Sequence, residues 1–126
     1  MKASFYIFPT LLLFLLVRCT TDELPMPEPT DCADLTPTYE LDIRPIIENS
    51  CAYSECHLGG APGVYDSYDG LLGNLESGLF RERVITLRDD EVNGMPPNYA
   101  PADRPQELTE DEFNLIACWL DAGFPQ

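Results

Sequence analysis

The sequence feature that most constrains this chain is a pair of cysteines followed at once by its sole histidine. Cys51 and Cys56 are separated by four residues, and His57 comes directly after them. On a regular α-helix of 3.6 residues per turn, positions i and i+5 lie about 140° apart, whereas i and i+3 share one face. If both sulfurs serve one site, the segment must therefore bulge away from regular helix.

With a longer spacer, this stretch matches the Cys-x-x-Cys-His pattern of covalent haem attachment. In that chemistry two thiols add across the haem vinyl groups as thioethers, and the adjacent imidazole becomes the proximal ligand of the iron. Two other interpretations stay open. Cys51 and Cys56 form a short disulfide in one of them, with His57 an incidental surface residue. A zinc site is the other, disfavoured because the chain has no second histidine and no second close cysteine pair.

Residues 1–18 are predicted to be a signal peptide. Lys2 provides a basic start, and the 13-residue apolar run over 5–17 is too short to span a bilayer. Residues 16–19 resemble a bacterial lipoprotein cleavage box, although Arg18 stands where a small residue is usual, and an uncleaved or differently cleaved signal is the alternative. Cys19 is then the lipidated residue. We expect an exported protein, lipid-anchored to a bacterial membrane and facing the periplasm or the cell surface.

The chain is strongly acidic. It has 22 Asp and Glu against 7 Lys and Arg, a net charge of −15. Cleavage before Cys19 removes Lys2 and Arg18, so the net charge becomes −17 and the remaining 108 residues contain no lysine. This sign argues against a nucleic-acid partner and against electrostatic binding to anionic lipid, and it favours protein partners with basic docking surfaces.

The chain length fits one domain. Residues 19–37 are acidic and rich in proline, which predicts a flexible tether, and residues 38–126 are predicted to form the folded domain. The patterns indicate short helices over 38–50, 67–73 and 79–87, with loops over 58–64 and 93–107. Pro45 is tolerated only in a first turn or at a kink, so the first helix is expected to begin near Asp42.

A final helix is the clearest local prediction. Thr109 and Glu112 have the spacing of a capping box. Apolar residues then repeat at i, i+3, i+4 and i+7 from Phe113 to Leu120, giving one apolar face, and Gly123 marks the end.

Taken in order, these elements resemble a small class I cytochrome c. The resemblance covers about residues 38–124. It depends on Cys-x4-Cys-His after an initial helix, on Gly-Met-Pro-Pro at 94–97, and on a terminal Leu-Thr…Glu…Ile…Trp-Leu…Gly helix. It implies an all-α fold of three to five short helices around one covalently attached haem, with the first and last helices crossing beside it.

The same resemblance implies the site residues. One haem c per chain would be held by thioethers at Cys51 and Cys56, with its iron ligated by His57 and Met95. A backbone carbonyl in loop 58–64 is expected to accept from the other ring N–H of His57. Candidate haem-wall residues, each of which is more often plain core, are Phe80, Ile85, Tyr99 and Trp119.

Elimination also points to Met95 as the sixth ligand. A single histidine excludes bis-histidine ligation within one chain, Met1 leaves with the signal, and Met26 lies in the tether. The alternative is that Met95 only packs its loop and that water or hydroxide fills the sixth position.

The cysteine count is odd, five in all. Lipidation of Cys19 and thioethers at Cys51 and Cys56 leave Cys32 and Cys118, and a class I fold brings the chain before the first helix close to the last helix. A Cys32–Cys118 disulfide is therefore expected, with two buried free thiols as the alternative.

The expected function is electron transfer without catalysis, between redox proteins, with the membrane reached only through lipid. Two other functions stay open. One is a haem enzyme or gas sensor with an open sixth position, and the other is a haem-free, disulfide-held interaction module.

Overall fold

The structure is a computed structural model that describes residues 31–126. The predicted signal peptide, the lipidation site Cys19 and most of the predicted tether lie outside the described residues. Within residues 31–126 the regular structure is helical and contains no strand, which confirms the all-α prediction. No helix in this part of the chain is long and apolar enough to cross a membrane.

Four α-helices and two π-helical segments make up the domain. A π-helical segment, Tyr39–Ile43, leads into α1, Arg44–Ser50. Helix α2 spans Tyr68–Glu76. The short α3, Leu79–Arg81, continues as the π-helical segment Glu82–Thr86. Helix α4 spans Glu110–Asp121.

The first helical stretch runs from Tyr39 to Ser50, which agrees with the predicted range 38–50 and not with a later start near Asp42. Pro45 does lie in the first turn of α1, one of the two places where the sequence tolerates it. The π-helical segment extends the helical backbone to Tyr39, however, and the Asp42 carboxylate accepts from the Thr38 N–H at 2.8 Å. Asp42 thus helps to fasten the start of this stretch instead of marking it.

Helix α2 begins where the loop before it passes very close. The Ser67 hydroxyl caps the helix by accepting from the Gly70 N–H at 3.2 Å. A Cβ at Gly70 would stand 2.2 Å from the Val64 carbonyl oxygen, so only glycine permits this approach. This contact fixes the end of loop 58–64 against α2.

Helix α4 forms as its sequence predicts. Thr109 accepts from the Glu112 N–H at 3.3 Å, and Glu112 accepts from the Thr109 N–H at 2.9 Å, which completes the capping box. Gly123, at φ +83°, turns the chain away after the last turn.

The first and last helical stretches pack together through Tyr39 and Trp119. Their ring centroids lie 6.2 Å apart, and both side chains are buried. The Pro125 carbonyl accepts from the Tyr39 N–H at 3.0 Å and from the Trp119 indole N–H at 2.8 Å. The C-terminal residues therefore tie the two stretches to each other.

Cys32 and Cys118 stand at disulfide distance, the pairing expected from the sequence. Their Cα atoms are 5.5 Å apart, although 86 positions separate them in the chain. The bond attaches the segment before the first helical stretch to α4, so the last residues of the predicted tether belong to the folded domain.

Candidate functional site

The cysteine–histidine motif lies in a run of turns after α1. Helix α1 ends at Ser50, and from there Cys56 N–H donates to Tyr53 O at 2.9 Å. The His57 N–H reaches back to Cys51 O at 3.1 Å, which closes the whole motif into a compact loop. The four residues between the cysteines form turns instead of regular helix, as their spacing requires.

A glycine keeps this loop tight. A Cβ at Gly60 would stand only 2.2 Å from the Glu55 carbonyl oxygen. Any larger residue would push the chain after His57 away from the spacer. The Gly60 N–H also donates to Cys56 O at 2.8 Å.

Two neighbours fix the His57 imidazole. Its Nδ1 lies 3.3 Å from the Gly63 carbonyl oxygen, within the loop where the sequence predicts an acceptor. A proton on Nδ1 satisfies that carbonyl and leaves Nε2 free as a lone-pair donor for a metal. One ring face stacks on Tyr65, with centroids 4.0 Å apart and planes 9° from parallel.

Tyr65 is a site residue that the sequence patterns do not reveal. Its side chain is buried, its backbone N–H donates to His57 O at 2.8 Å, and its hydroxyl accepts from the Asn74 side chain at 2.6 Å. Burial is the main reason that the pKa of Tyr65 is raised. The hydroxyl therefore stays protonated at neutral pH, and the ring is a neutral platform for the imidazole.

The motif opens onto a cavity of about 440 Å³. This volume is within the range of roughly 300–1,000 Å³ that small-molecule and cofactor sites occupy. Cys51, Cys56, His57 and Met95 all line it. The rest of the lining is mainly apolar and comes from the loop after the motif, from α2 and α3, from the second π-helical segment and from the proline loop; it includes Ala61, Pro62, Tyr65, Leu79, Phe80, Val84, Pro96, Pro97 and Tyr99.

A backbone hydrogen bond holds Met95 at the cavity wall. Its N–H donates to the Arg83 carbonyl at 3.0 Å. A Cβ on the preceding Gly94 would stand 2.5 Å from Leu87 O, so glycine lets the loop approach the turn that follows the second π-helical segment. The side chain is partly buried and borders both the main cavity and a smaller one of about 120 Å³.

The four candidate wall residues separate into two groups. Phe80 and Tyr99 line the cavity, Phe80 from the core side and Tyr99 from its exposed rim. Trp119 does not line it but is fully buried behind Phe80, edge-on at 6.4 Å between centroids. Ile85 does not line it either and packs against the hydrophobic core.

Burial affects two polar groups that line the cavity, the Cys51 thiol and the Ser50 hydroxyl. Desolvation, with a smaller contribution from the neighbouring Cys56, raises the pKa of the Cys51 thiol to about 12. The Ser50 hydroxyl is buried, lines the cavity and has no hydrogen-bond partner among the described residues. Buried hydroxyls without partners are rare, and this one is available to bond an occupant or an ordered water of the cavity.

Arg83 also borders the cavity and was not singled out by the sequence. Its guanidinium Nη1 donates to Asn93 twice, to the backbone carbonyl at 3.1 Å and to the side-chain oxygen at 2.9 Å. An arginine in a chain with few cations carries no pattern that would mark it in advance.

No protein-family model, curated protein or solved structure matches this chain. Within residues 31–126 no group of three or more His, Cys, Asp and Glu side chains could hold a metal ion. The donor groups that border the cavity are two thiols, an imidazole and a thioether. One histidine and one methionine on a haem iron would not form such a group.

Proposed function

We propose that this protein is an electron carrier with one covalently attached haem c. The observation that carries the proposal is that Cys51, Cys56, His57 and Met95 line one largely apolar cavity. Cys51 and Cys56 would hold such a haem through thioethers, and His57 and Met95 would bind its iron. Bound haem would supply one-electron chemistry, cycling between ferric and ferrous iron.

The chain's own residues hold and orient the group in this proposal. Tyr65 and Gly63 O fix the imidazole so that Nε2 is the ligating atom. Phe80 and Val84 exclude water from the inner wall, and Met95 donates its sulfur from the proline loop. Iron held by one methionine and one histidine would have a raised reduction potential, which suits a carrier rather than an oxygen-activating enzyme.

The setting of the carrier is also a proposal. Signal cleavage before Cys19 would release an acidic, lipid-anchored domain outside the cytoplasm. Such a domain should dock on basic surfaces of redox partners, with association that slows as ionic strength rises. The exposed Tyr99 at the cavity rim lies where a partner would approach the cofactor edge.

The direct test is production in a host that has a c-type haem maturation system, followed by intact-mass analysis of the denatured protein. The mature chain should carry the mass of one haem. Changing both Cys51 and Cys56 to alanine should remove that mass, whereas changing both Cys32 and Cys118 to serine should keep it.

A further inference from the structure

We propose that Arg83 is the positioning residue for a carboxylate of the haem, an inference that rests on the proposed function. Haem carries two propionate carboxylates, at the edge away from its vinyl groups. Within the described chain, Arg83 is the one cationic side chain among the residues that line the cavity. The proposal assigns its charge to the carboxylate edge of the cofactor.

The other arginines of the described domain are engaged elsewhere. Arg44 forms ion pairs with Glu40 at 3.0 Å and with Glu48 at 2.8 Å. Arg81 forms an ion pair with Asp121 at 2.6 Å. Arg88 pairs with Glu110, and Arg104 lies over the Tyr53 ring at 4.9 Å from its centroid. None of these four lines the main cavity.

Arg83 is held by a neutral partner instead. Asn93 gives it two oxygen acceptors, and both belong to an uncharged residue. The Arg83 charge also helps to lower the pKa of the Asp90 carboxylate, but Arg83 is in none of the ion pairs of the described residues. The guanidinium has five N–H donors in a fixed fork, and Asn93 is contacted through Nη1. An orienting contact that keeps the positive charge is the arrangement expected of a residue that waits for an anion.

The positive charge of Arg83 matters because the rest of the domain would repel a carboxylate or leave it without compensation. The domain is strongly acidic, and the exposed carboxylate of Glu55, between the two cysteines, also lines the cavity. A propionate beside Glu55 would meet like charge, and one against the apolar wall would lose its hydration without compensation. The two cysteines take the vinyl edge, so the carboxylate edge falls to another part of the lining, where Arg83 is available.

The alternative role for Arg83 is purely structural. Its backbone carbonyl accepts from the Met95 N–H, and its side chain bonds Asn93, which is two residues before Met95. On that account Arg83 only holds the methionine loop, and its charge is incidental. The two accounts differ in what Asn93→Ala and Arg83→Lys should do.

The test measures reduction potential and spin state in the mature holoprotein. Arg83→Gln should lower the potential, because loss of a cation beside a buried carboxylate favours ferric iron. The downward shift should be at least about twice that of Arg81→Gln, which makes the same charge change at an exposed ion pair. Arg83→Lys should return the potential most of the way to the wild-type value, and all these variants should stay low-spin.

Each other outcome overturns the inference in a recognisable way. Equal shifts in Arg83→Gln and Arg81→Gln would show that only net charge matters. A high-spin spectrum in both Arg83→Gln and Asn93→Ala, unrescued by Arg83→Lys, would assign Arg83 to loop support alone. If Arg83→Gln fails to mature, the lysine variant decides, since it must mature with a near wild-type potential. A wild-type chain without covalent haem would instead overturn the proposed function, and this inference with it.

Discussion

The His57 imidazole lies parallel to the Tyr65 ring, 4.0 Å between centroids and 9° between planes. Gly63 O lies 3.3 Å from Nδ1 at the edge of the same imidazole, a position that favours the tautomer with its proton on Nδ1. Preset ligands of this kind lose little freedom on coordination, which is a recurrent role of residues behind metal-bound histidines. Tyr65 is therefore a positioning residue for the proposed proximal ligand.

Tyr65→Leu should disturb the haem environment, whereas Tyr65→Phe should leave it almost intact. The phenylalanine keeps the stack and loses the bond to Asn74, a loss of about 0.5–1.5 kcal/mol in unfolding free energy. The leucine loses the planar platform, and the low-spin absorbance should weaken. Tyr68→Leu is the control, since Tyr68 bonds Phe124 O away from the imidazole. Equal spectra for the two leucine variants would refute the positioning role.

Met95→Ala should turn a low-spin haem high-spin, lower its potential and admit carbon monoxide or cyanide readily. The physical reason is loss of the thioether that we propose as sixth ligand. Optical spectra and ligand titrations measure this. Met95→Leu fills similar space without a strong donor and separates ligation from packing, because it should behave as the alanine variant does. A wild type that already binds these ligands readily would favour the haem enzyme or gas sensor.

Loss of the Cys32–Cys118 bond should destabilise the domain by about 4–5 kcal/mol if loop-closure entropy dominates, given the 86 positions that it spans. The comparison is urea unfolding of the wild type and of the double serine variant. Alkylation of denatured, unreduced protein checks the pairing itself, and labelling at both positions would contradict it.

Asp90 gives the methionine loop a predictable dependence on pH. Its carboxylate accepts from Asn93 N–H at 2.7 Å and from Val92 N–H at 2.9 Å, and these bonds hold the pKa of Asp90 below its ordinary value of 3.8. A lowered folded pKa stabilises the fold above the unfolded value, and this stabilisation is lost as pH falls through the folded one.

Asp90→Asn should therefore reduce stability near neutral pH, and its difference from wild type should shrink once the pH drops below 3.8. Urea unfolding at both pH values measures this. Asp89→Asn makes the same charge change one residue away and should show a smaller difference near neutral pH. A gap between Asp90→Asn and wild type that is constant with pH would contradict the assignment.

Helix α4 was predictable because its signals are local. The position of Trp119 relative to the cavity was not, because it depends on nonlocal packing. The capping box of Thr109 and Glu112 acts within one turn, so it can be read directly from residue spacing. The periodicity also put Trp119 near the apolar face of α4. It could not tell a cavity wall from the core behind that wall, because the difference depends on where Phe80 packs.

The site shows the same limit. The motif marks Cys51, Cys56 and His57, since their chemistry needs those residue types in that order. Tyr65 meets His57 only because Gly60 and Gly63, the latter at φ +86°, fold the intervening loop back on itself. The π-helical geometry of Tyr39–Ile43 was not predicted either, because the 3.6-residue period does not describe it.

The central claim is tested most directly by the intact mass of the denatured mature protein, made in a host with c-type maturation. We predict that the wild-type mass exceeds that of the processed chain with its Cys19 lipid by one haem, and that this excess is lost when Cys51 and Cys56 are both alanine. A wild-type mass without haem and lighter by two further hydrogens than the one disulfide explains would instead show a Cys51–Cys56 disulfide and contradict the account.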